Sequence, residues 1–310
     1  MRHSARSWWL DEAGGVTDPQ PPLSGDVRAD VAIAGGGYTG LWTAWQVAQL
    51  APDARIVVVE GDLCGHGPSG RNGGFVEDLW LNLPSLRARF GDAGALACGH
   101  AAGASAKEIG AWCSEQDVDA WFHTGGHLVV SAAPAQDGVG DEPVRAAAEL
   151  GVAGEIVALS AEQVRERCAS PVFREGTLMP SGATVQPARL ALGLRGRLID
   201  AGVSVYEHTR VRRVVDRDAG GVELVTDGGR VRAGNAVLAA GGALASFGPL
   251  RGRLTVASSH IVLTEPVPDV LEELGWTGGE AITDARSLLH YFRTTNDGRI
   301  VFGWAGGAVT

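Results

Sequence analysis

Lysine is nearly absent from this chain: of its 26 basic residues only Lys107 is a lysine, a bias of composition that points to no mechanism. Positive charge of any kind is in deficit, because 36 acidic residues leave a net charge of -10. A chain of that balance has no excess cations to neutralise phosphates, which excludes a nucleic-acid binder. Cysteine is scarce and scattered. Cys64, Cys98, Cys113 and Cys168 form no CxxC pair and no Cys/His cluster, which excludes a disulfide framework and a zinc site and suits a reducing cytoplasm. The opening MRHSARSWWLDEAGG lacks the apolar run of a secretory signal, and no stretch approaches the roughly 20 apolar residues of a membrane span. A soluble cytoplasmic protein is expected.

Glycine is what the chain has in abundance, 45 of 310 residues, about twice ordinary usage. Tight turns and close backbone approaches are the usual demand for it. Apolar residues at 45% and charged ones at 20% allow a substantial core, and the length suggests two domains.

The Pro/Gly/Ser-rich lead-in GVTDPQPPLSG holds no regular structure, so Trp8 and Trp9 are expected on an arm packed against the body. From Asp30 to Glu60 the order is strand (VAIA), glycine turn, helix (LWTAWQVAQLA), then strand (RIVVVE). Residues 92–117 read as a long helix, and AWFHTGGHLVVSAA as a hairpin turning at Gly125–Gly126. Helices follow in DEPVRAAAELG, in SAEQVRERC with Ser160 as N-cap, and in LALGLRGRLIDAG with a stop at Gly202. Strands are expected in VSVYEHTRVRRVV, GVELVT, AVLAAGG and RLTVASSHIVLTE. A last hairpin, SLLHYFRTT–NDG–RIVFGWAGG, has the residues that a tight turn demands. The fold class is therefore α/β: a Rossmann-type nucleotide domain interleaved with an α+β domain on a mostly antiparallel sheet.

Gly35-Gly36-Gly37-Tyr38-Thr39-Gly40 spells G-x-G-x-x-G. In a glycine-rich chain the motif alone is weak, and its context carries the argument. An apolar strand runs into Gly35, a helix opens at Thr39, and Glu60 ends the next strand 20 residues after Gly40. Gly35 makes the turn, Gly37 admits a pyrophosphate to the backbone, and Gly40 lets helix and strand pack closely. Tyr38 and Thr39 open the helix, whose free N–H groups and positive dipole end suit phosphate. Glu60 suits ribose hydroxyls and argues against the 2′-phosphate of NADP. It does not separate NAD from FAD.

The loop Gly65-His66-Gly67-Pro68-Ser69-Gly70-Arg71-Asn72-Gly73-Gly74-Phe75 follows that strand, dense in amide donors. Such a loop wraps anionic oxygens or lies flat against a planar ring. Together SWWLDEAG, DVAIAGGGYTGLWTAWQVA, VVVE and GPSGRNGGF resemble FAD-dependent amine and amino-acid oxidases of the D-amino-acid-oxidase superfamily, the gamma-glutamylputrescine-oxidase-like branch above all. TRVRRV, NAVLAAGGAL and HYFRTTNDGRIVFGWAGG match in order, so the resemblance spans nearly the whole chain.

The resemblance implies FAD as cofactor, with Ser69, Arg71, Asn72, Gly73 and Gly74 along the pyrophosphate and flavin ring. It places Val211 at the adenine and Ala240 and Gly241 in a turn that closes over the FAD. It implies oxidation of a C–N bond in a small amine or amino acid, by hydride transfer to flavin and reoxidation by oxygen or another acceptor. No acid–base dyad is required, and no catalytic residue is assigned. Tyr291 and Arg293 share one face of their strand and are candidate substrate contacts; His290 and Phe292 share the other. The expected division is an arm at 1–26, an FAD domain at 27–90 and 181–250, and a substrate domain at 91–180 and 251–310.

The chain stops at Thr310, within what the resemblance makes substrate-domain sheet, so a truncated C-terminal part is expected. Some members reduce oxygen with the help of a lysine, which has no match on the final strands, and some hold FAD through a cysteine without an equivalent here. Oxidase and dehydrogenase both stay open, as do covalent and non-covalent FAD. Two other readings remain beside the leading one: an incomplete or non-catalytic flavin-binding chain, and an NAD-linked dehydrogenase. No oligomeric state follows from the sequence.

Overall fold

The computed structural model describes residues 7–217 and 220–304. In chain order the strands begin with β1 (Val27–Ala34), β2 (Ile56–Val59), β3 (Phe75–Val76), β4 (His127–Val130) and β5 (Val157–Leu159). Then come β6 (Gly176–Met179), β7 (Ala183–Thr184), β8 (Ser204–Tyr206), β9 (Val211–Asp216) and β10 (Val222–Thr226). The last are β11 (Arg230–Leu238), β12 (His260–Leu263), β13 (Ala281–Asp284), β14 (His290–Thr294) and β15 (Ile300–Trp304). The α-helices are α1 (Trp8–Glu12), α2 (Tyr38–Leu50), α3 (Leu83–Glu115), α4 (Asp141–Glu149), α5 (Ala161–Arg167), α6 (Pro187–Asp200) and α7 (Pro268–Glu273).

Two compact units divide the chain. The first is Met1–Asn72, Val118–Ala120 and Pro187–Val256; the second is Gly73–Asp117, Trp121–Gln186 and Ala257–Thr310. The arm belongs to the first unit. The break at Asn72 falls before the expected residue 90, because β3 pairs with β7 and draws Gly73 onward into the second unit.

The first unit is built on a six-stranded sheet in the order β8-β2-β1-β11-β10-β9. β1 runs parallel to β2 and β11, and β2 parallel to β8; β10 is antiparallel to β11 and β9. Val59, Ala34 and Leu238 lie side by side, so three parallel strands end at one level. The apolar run of β2 is buried on both faces, as parallel strands covered by helices require. Trp9 and Leu10 of α1 are buried, and α1 packs on α6. VSVYEHTRVRRVV splits into β8 and β9 at His208, whose φ of 50° breaks the extended run.

The second unit has a seven-stranded sheet, β12-β15-β14-β13-β4-β6-β5, in which only β4 and β13 pair in parallel. AWFHTGGHLVVSAA is not a hairpin. Its second half is the single strand β4, held between β13 and β6, while His123 bridges to Thr184 instead. Four consecutive buried residues make β4 an interior strand, whose partners are distant in sequence. The long helix begins earlier than expected, at Leu83, and is broken at Gly91 (φ 71°). Ser160 caps α5 in a full capping box with Gln163. Of RLTVASSHIVLTE only β12 is strand, and the β14–β15 hairpin forms around Thr295–Gly298.

Candidate functional site

At the level where β1, β2 and β11 end, the first unit opens a cavity of about 940 Å³. Ligands in open parallel sheets bind at this end of the strands. Gly35 leaves β1 with φ +117°, and a Cβ there would run into the Ala239 carbonyl. A Cβ on Gly40 would strike the Gly35 carbonyl, so α2 is pressed onto the turn that precedes it. Gly37 is the N-cap of α2 and has no capping side chain of its own. Ser69 Oγ serves instead, accepting from the Tyr38 amide at 2.8 Å. Among the described residues the Thr39 and Gly40 amides have no partner, the orphan donors of a helix start. The Tyr38 hydroxyl donates to the Pro187 carbonyl at 2.7 Å and ties α2 to the start of α6.

Glu60 stands at the end of β2. Its carboxylate accepts from the Gly36 amide at 2.7 Å and from the Asp62 amide at 2.8 Å, one on each oxygen. A carboxylate oxygen has room for a second donor, so both remain able to receive a ligand hydroxyl. The charge therefore also holds the glycine turn, a duty that the G-x-G-x-x-G pattern does not announce. Behind it Cys64 packs where a Cβ of Gly36 would lie, and burial pushes its thiol pKa up. The fully buried Glu207 accepts from Arg195, from the Cys64 amide at 2.8 Å and from the Gln20 amide at 2.7 Å. This ion pair pins the lead-in and the post-β2 loop to the first unit.

Of the residues expected at a dinucleotide, Gly35, Gly37, Tyr38, Thr39, Glu60, Ser69, Val211, Ala240 and Gly241 line the cavity; Gly40 lies behind the turn. Arg71 and Asn72 do not line it. Arg71 Nε donates to the Gly67 carbonyl at 3.2 Å, and Asn72 Nδ2 to the Pro68 and Ser69 carbonyls at 3.2 and 2.9 Å, so both shape the loop. Gly73 and Gly74 fall in the second unit, where the Gly74 carbonyl accepts from the Val185 amide at 2.8 Å. Arg210, Arg212 and Arg213 also line the cavity and were not singled out from the sequence. The arginine-rich TRVRRV was the available signal.

Arg293 is held by the main chain. Expected beside Tyr291 as a substrate contact, it is 1% exposed, and its Nη1 donates to the carbonyls of Gly74 at 3.0 Å and Val185 at 2.5 Å. Burial lowers its pKa to about 10, and the guanidinium is committed to main-chain carbonyls. Tyr291 is half-buried; its hydroxyl meets Ser259 Oγ at 2.7 Å, and its ring is edge-on to Phe75 at 5.7 Å.

Residues 30–308 match the family described as FAD dependent oxidoreductase, DAO. The chain belongs to the DAO family of FAD-dependent oxidoreductases. The family's cofactor is FAD. A relative from Rhizobium meliloti, "Probable oxidoreductase OrdL", is 26% identical over 91% of this chain and 65% of its own length. Gamma-glutamylputrescine oxidoreductase of Escherichia coli is 27% identical over 94% of this chain and 67% of its own. The chain thus spans about two thirds of the length of these curated relatives. The crystal structure of glycine oxidase from Geobacillus kaustophilus is similar in fold, with a TM-score of 0.65 at 20% identity, over 91% of this chain and 72% of that one.

The first unit's residues fit the family's cofactor. Unpartnered amides and a helix dipole suit a pyrophosphate, the free lone pairs of Glu60 suit a ribose, and the cavity is of the size that holds a cofactor. Among the described residues no cluster of His, Cys, Asp and Glu could hold a metal ion, and no helix is long and apolar enough to cross a membrane.

Proposed function

We propose that the first unit is an FAD-binding unit and the second a substrate unit, and that the chain serves the oxidation of a C–N bond in an amine or amino acid. The observation that carries this reading is the convergence of Thr39 at the open start of α2, Glu60 and the Ala240–Gly241 turn on one cavity at the strand ends. The α2 amides bind the pyrophosphate, Glu60 the adenosine ribose, and the backbone at Val211 the adenine. Gly73 and Gly74 lie along the flavin ring, and Tyr291 is a substrate contact. When bound, FAD supplies the two-electron acceptor; oxygen or another acceptor then takes the electrons. The protein's task is to hold the substrate amine neutral and oriented.

Two names among the similar proteins favour a nitrogen-bearing substrate, gamma-glutamylputrescine oxidoreductase and glycine oxidase. The four unpaired cysteines suit a cytoplasmic setting. The test is the visible absorption of purified protein, followed by an amine and amino-acid screen that detects both peroxide and reduction of an artificial acceptor. A yellow protein that oxidises an amine supports the reading. A yellow protein inert in both assays overturns the catalytic part and leaves a flavin-binding chain.

A further inference from the structure

The main chain that leads into β9 is fastened to the end of β2. The Thr209 amide donates to the Glu60 carbonyl at 2.7 Å, and the His208 amide to the Asp62 carbonyl at 2.8 Å. Thr209 is buried; its hydroxyl donates to the Glu207 carbonyl at 2.9 Å and accepts from the Leu23 amide at 2.9 Å. Arg210 therefore leaves from a fixed backbone. Its side chain runs along Gly61, whose Cβ position is 3.7 Å from both Cβ and Nε of the arginine. Gly61 and Arg210 both line the first unit's cavity, so the arginine covers a stretch of wall that the glycine leaves bare.

The guanidinium on that wall is uncommitted. Arg212, two residues on, is gripped by the Asp227 carboxylate through three contacts of 2.6 to 3.0 Å. That bond holds Asp227 below its usual pKa, and the charge of Arg210 adds to the effect from beyond hydrogen-bond reach. Among the described residues Arg210 itself donates to no carboxylate and no carbonyl. A planar cation, fixed at its root and laid on a cavity wall with its groups free, is suited to an aromatic face or to an anion.

Position separates the two. The amides that suit a pyrophosphate belong to the glycine turn after β1; Glu60, at the end of the neighbouring β2, suits the ribose. Gly61 and Arg210 come next beyond Glu60, and Arg210 adjoins Val211. A dinucleotide laid in that order brings its base, not its phosphates, to Arg210. We propose that Arg210 is an adenine-binding residue, whose guanidinium stacks on the purine and gives the site its preference for that base. The inference rests on the proposed function for the place of the adenosine in the cavity.

The test uses flavin-stripped protein and calorimetric titration with FAD, ADP and UDP, the last two sharing their ribose and phosphates and differing in the base. The parent, Arg210→Met and Arg210→Lys are compared. Arg210→Met should weaken FAD and ADP by about fivefold to thirtyfold, the range of a desolvated cation–π contact, and UDP less, so that the preference for ADP narrows. Arg210→Lys keeps the charge without the plane and should resemble Arg210→Met. Both flavin-free variants should melt at the parent's temperature, because the guanidinium has no protein partner to lose. Undiminished FAD and ADP binding by Arg210→Met, full affinity in Arg210→Lys, or an equal loss for UDP overturns the inference, while FAD uptake by the parent leaves the proposed function standing. A parent that takes up neither FAD nor ADP overturns both together.

Discussion

Replacing Glu60 separates two duties that the structure gives one carboxylate. In Glu60→Ala the Gly36 amide, which is buried, loses its acceptor, while the Asp62 amide is exposed and takes water instead. One buried unsatisfied donor costs about 1–3 kcal/mol, so the flavin-free protein should unfold at lower urea by that amount. FAD binding loses more, because the ribose hydroxyls lose a charged acceptor. A further 1.5–3 kcal/mol is about one to two decades in affinity. Glu60→Gln keeps an oxygen for the Gly36 amide and should hold nearly parental stability while binding FAD more weakly. Urea unfolding without flavin and fluorescence titration with FAD read the two effects independently. If both variants bind FAD as tightly as the parent, Glu60 does not meet the ribose and the reasoning fails.

Gly40→Ala places a Cβ against the Gly35 carbonyl, and about 1–3 kcal/mol of stability should go, with reduced flavin content in the purified protein. Arg293→Met strands the Val185 carbonyl and leaves that of Gly74 only its bond from the Val185 amide; about 1–3 kcal/mol of urea stability should be lost, and Arg293→Lys, lacking the planar fork, should not restore it. His127 titrates near its ordinary 6.5 when unfolded and at about 4 when folded, so the unfolded chain takes up the proton first. Its stabilising contribution is whole above pH 6.5 and falls by about 3 kcal/mol as pH drops to 4; urea midpoints of the parent minus those of His127→Asn should show that slope. Glu207→Ala leaves Arg195 buried and unpaired and should cost about 3–5 kcal/mol by thermal or urea unfolding.

The dinucleotide turn was legible in the sequence because its information is local. A strand, three spaced glycines, a helix and an acid occupy one continuous stretch, and backbone sterics alone demand Gly35 and Gly40. The β14–β15 hairpin was legible for the same reason, through Asn296-Asp297-Gly298. What escaped depends on distant partners. β4 reads as half a hairpin until β13 and β6, contributed by later segments, enclose it. Arg293 shares a strand face with Tyr291, yet alternation says nothing of depth, and two carbonyls from the Gly74 and Val185 segments claim its charge. Ser69 was read as a cofactor ligand, and its capping of the Tyr38 amide needed the loop to fold back on α2.

The account's central claim is that the cavity at the ends of β1, β2 and β11 holds FAD by the α2 amides. Titration of the flavin-stripped protein with FAD, beside the same titration of Gly37→Val, tests it most directly. A valine at Gly37 would crowd Ser69 Oγ, 2.9 Å from the Cβ position, and fill the pyrophosphate's approach. Saturable FAD uptake by the parent, with none by a Gly37→Val protein of parental circular dichroism, is the predicted result. Uptake undiminished in Gly37→Val, or a parent that takes up no FAD at all, would contradict it.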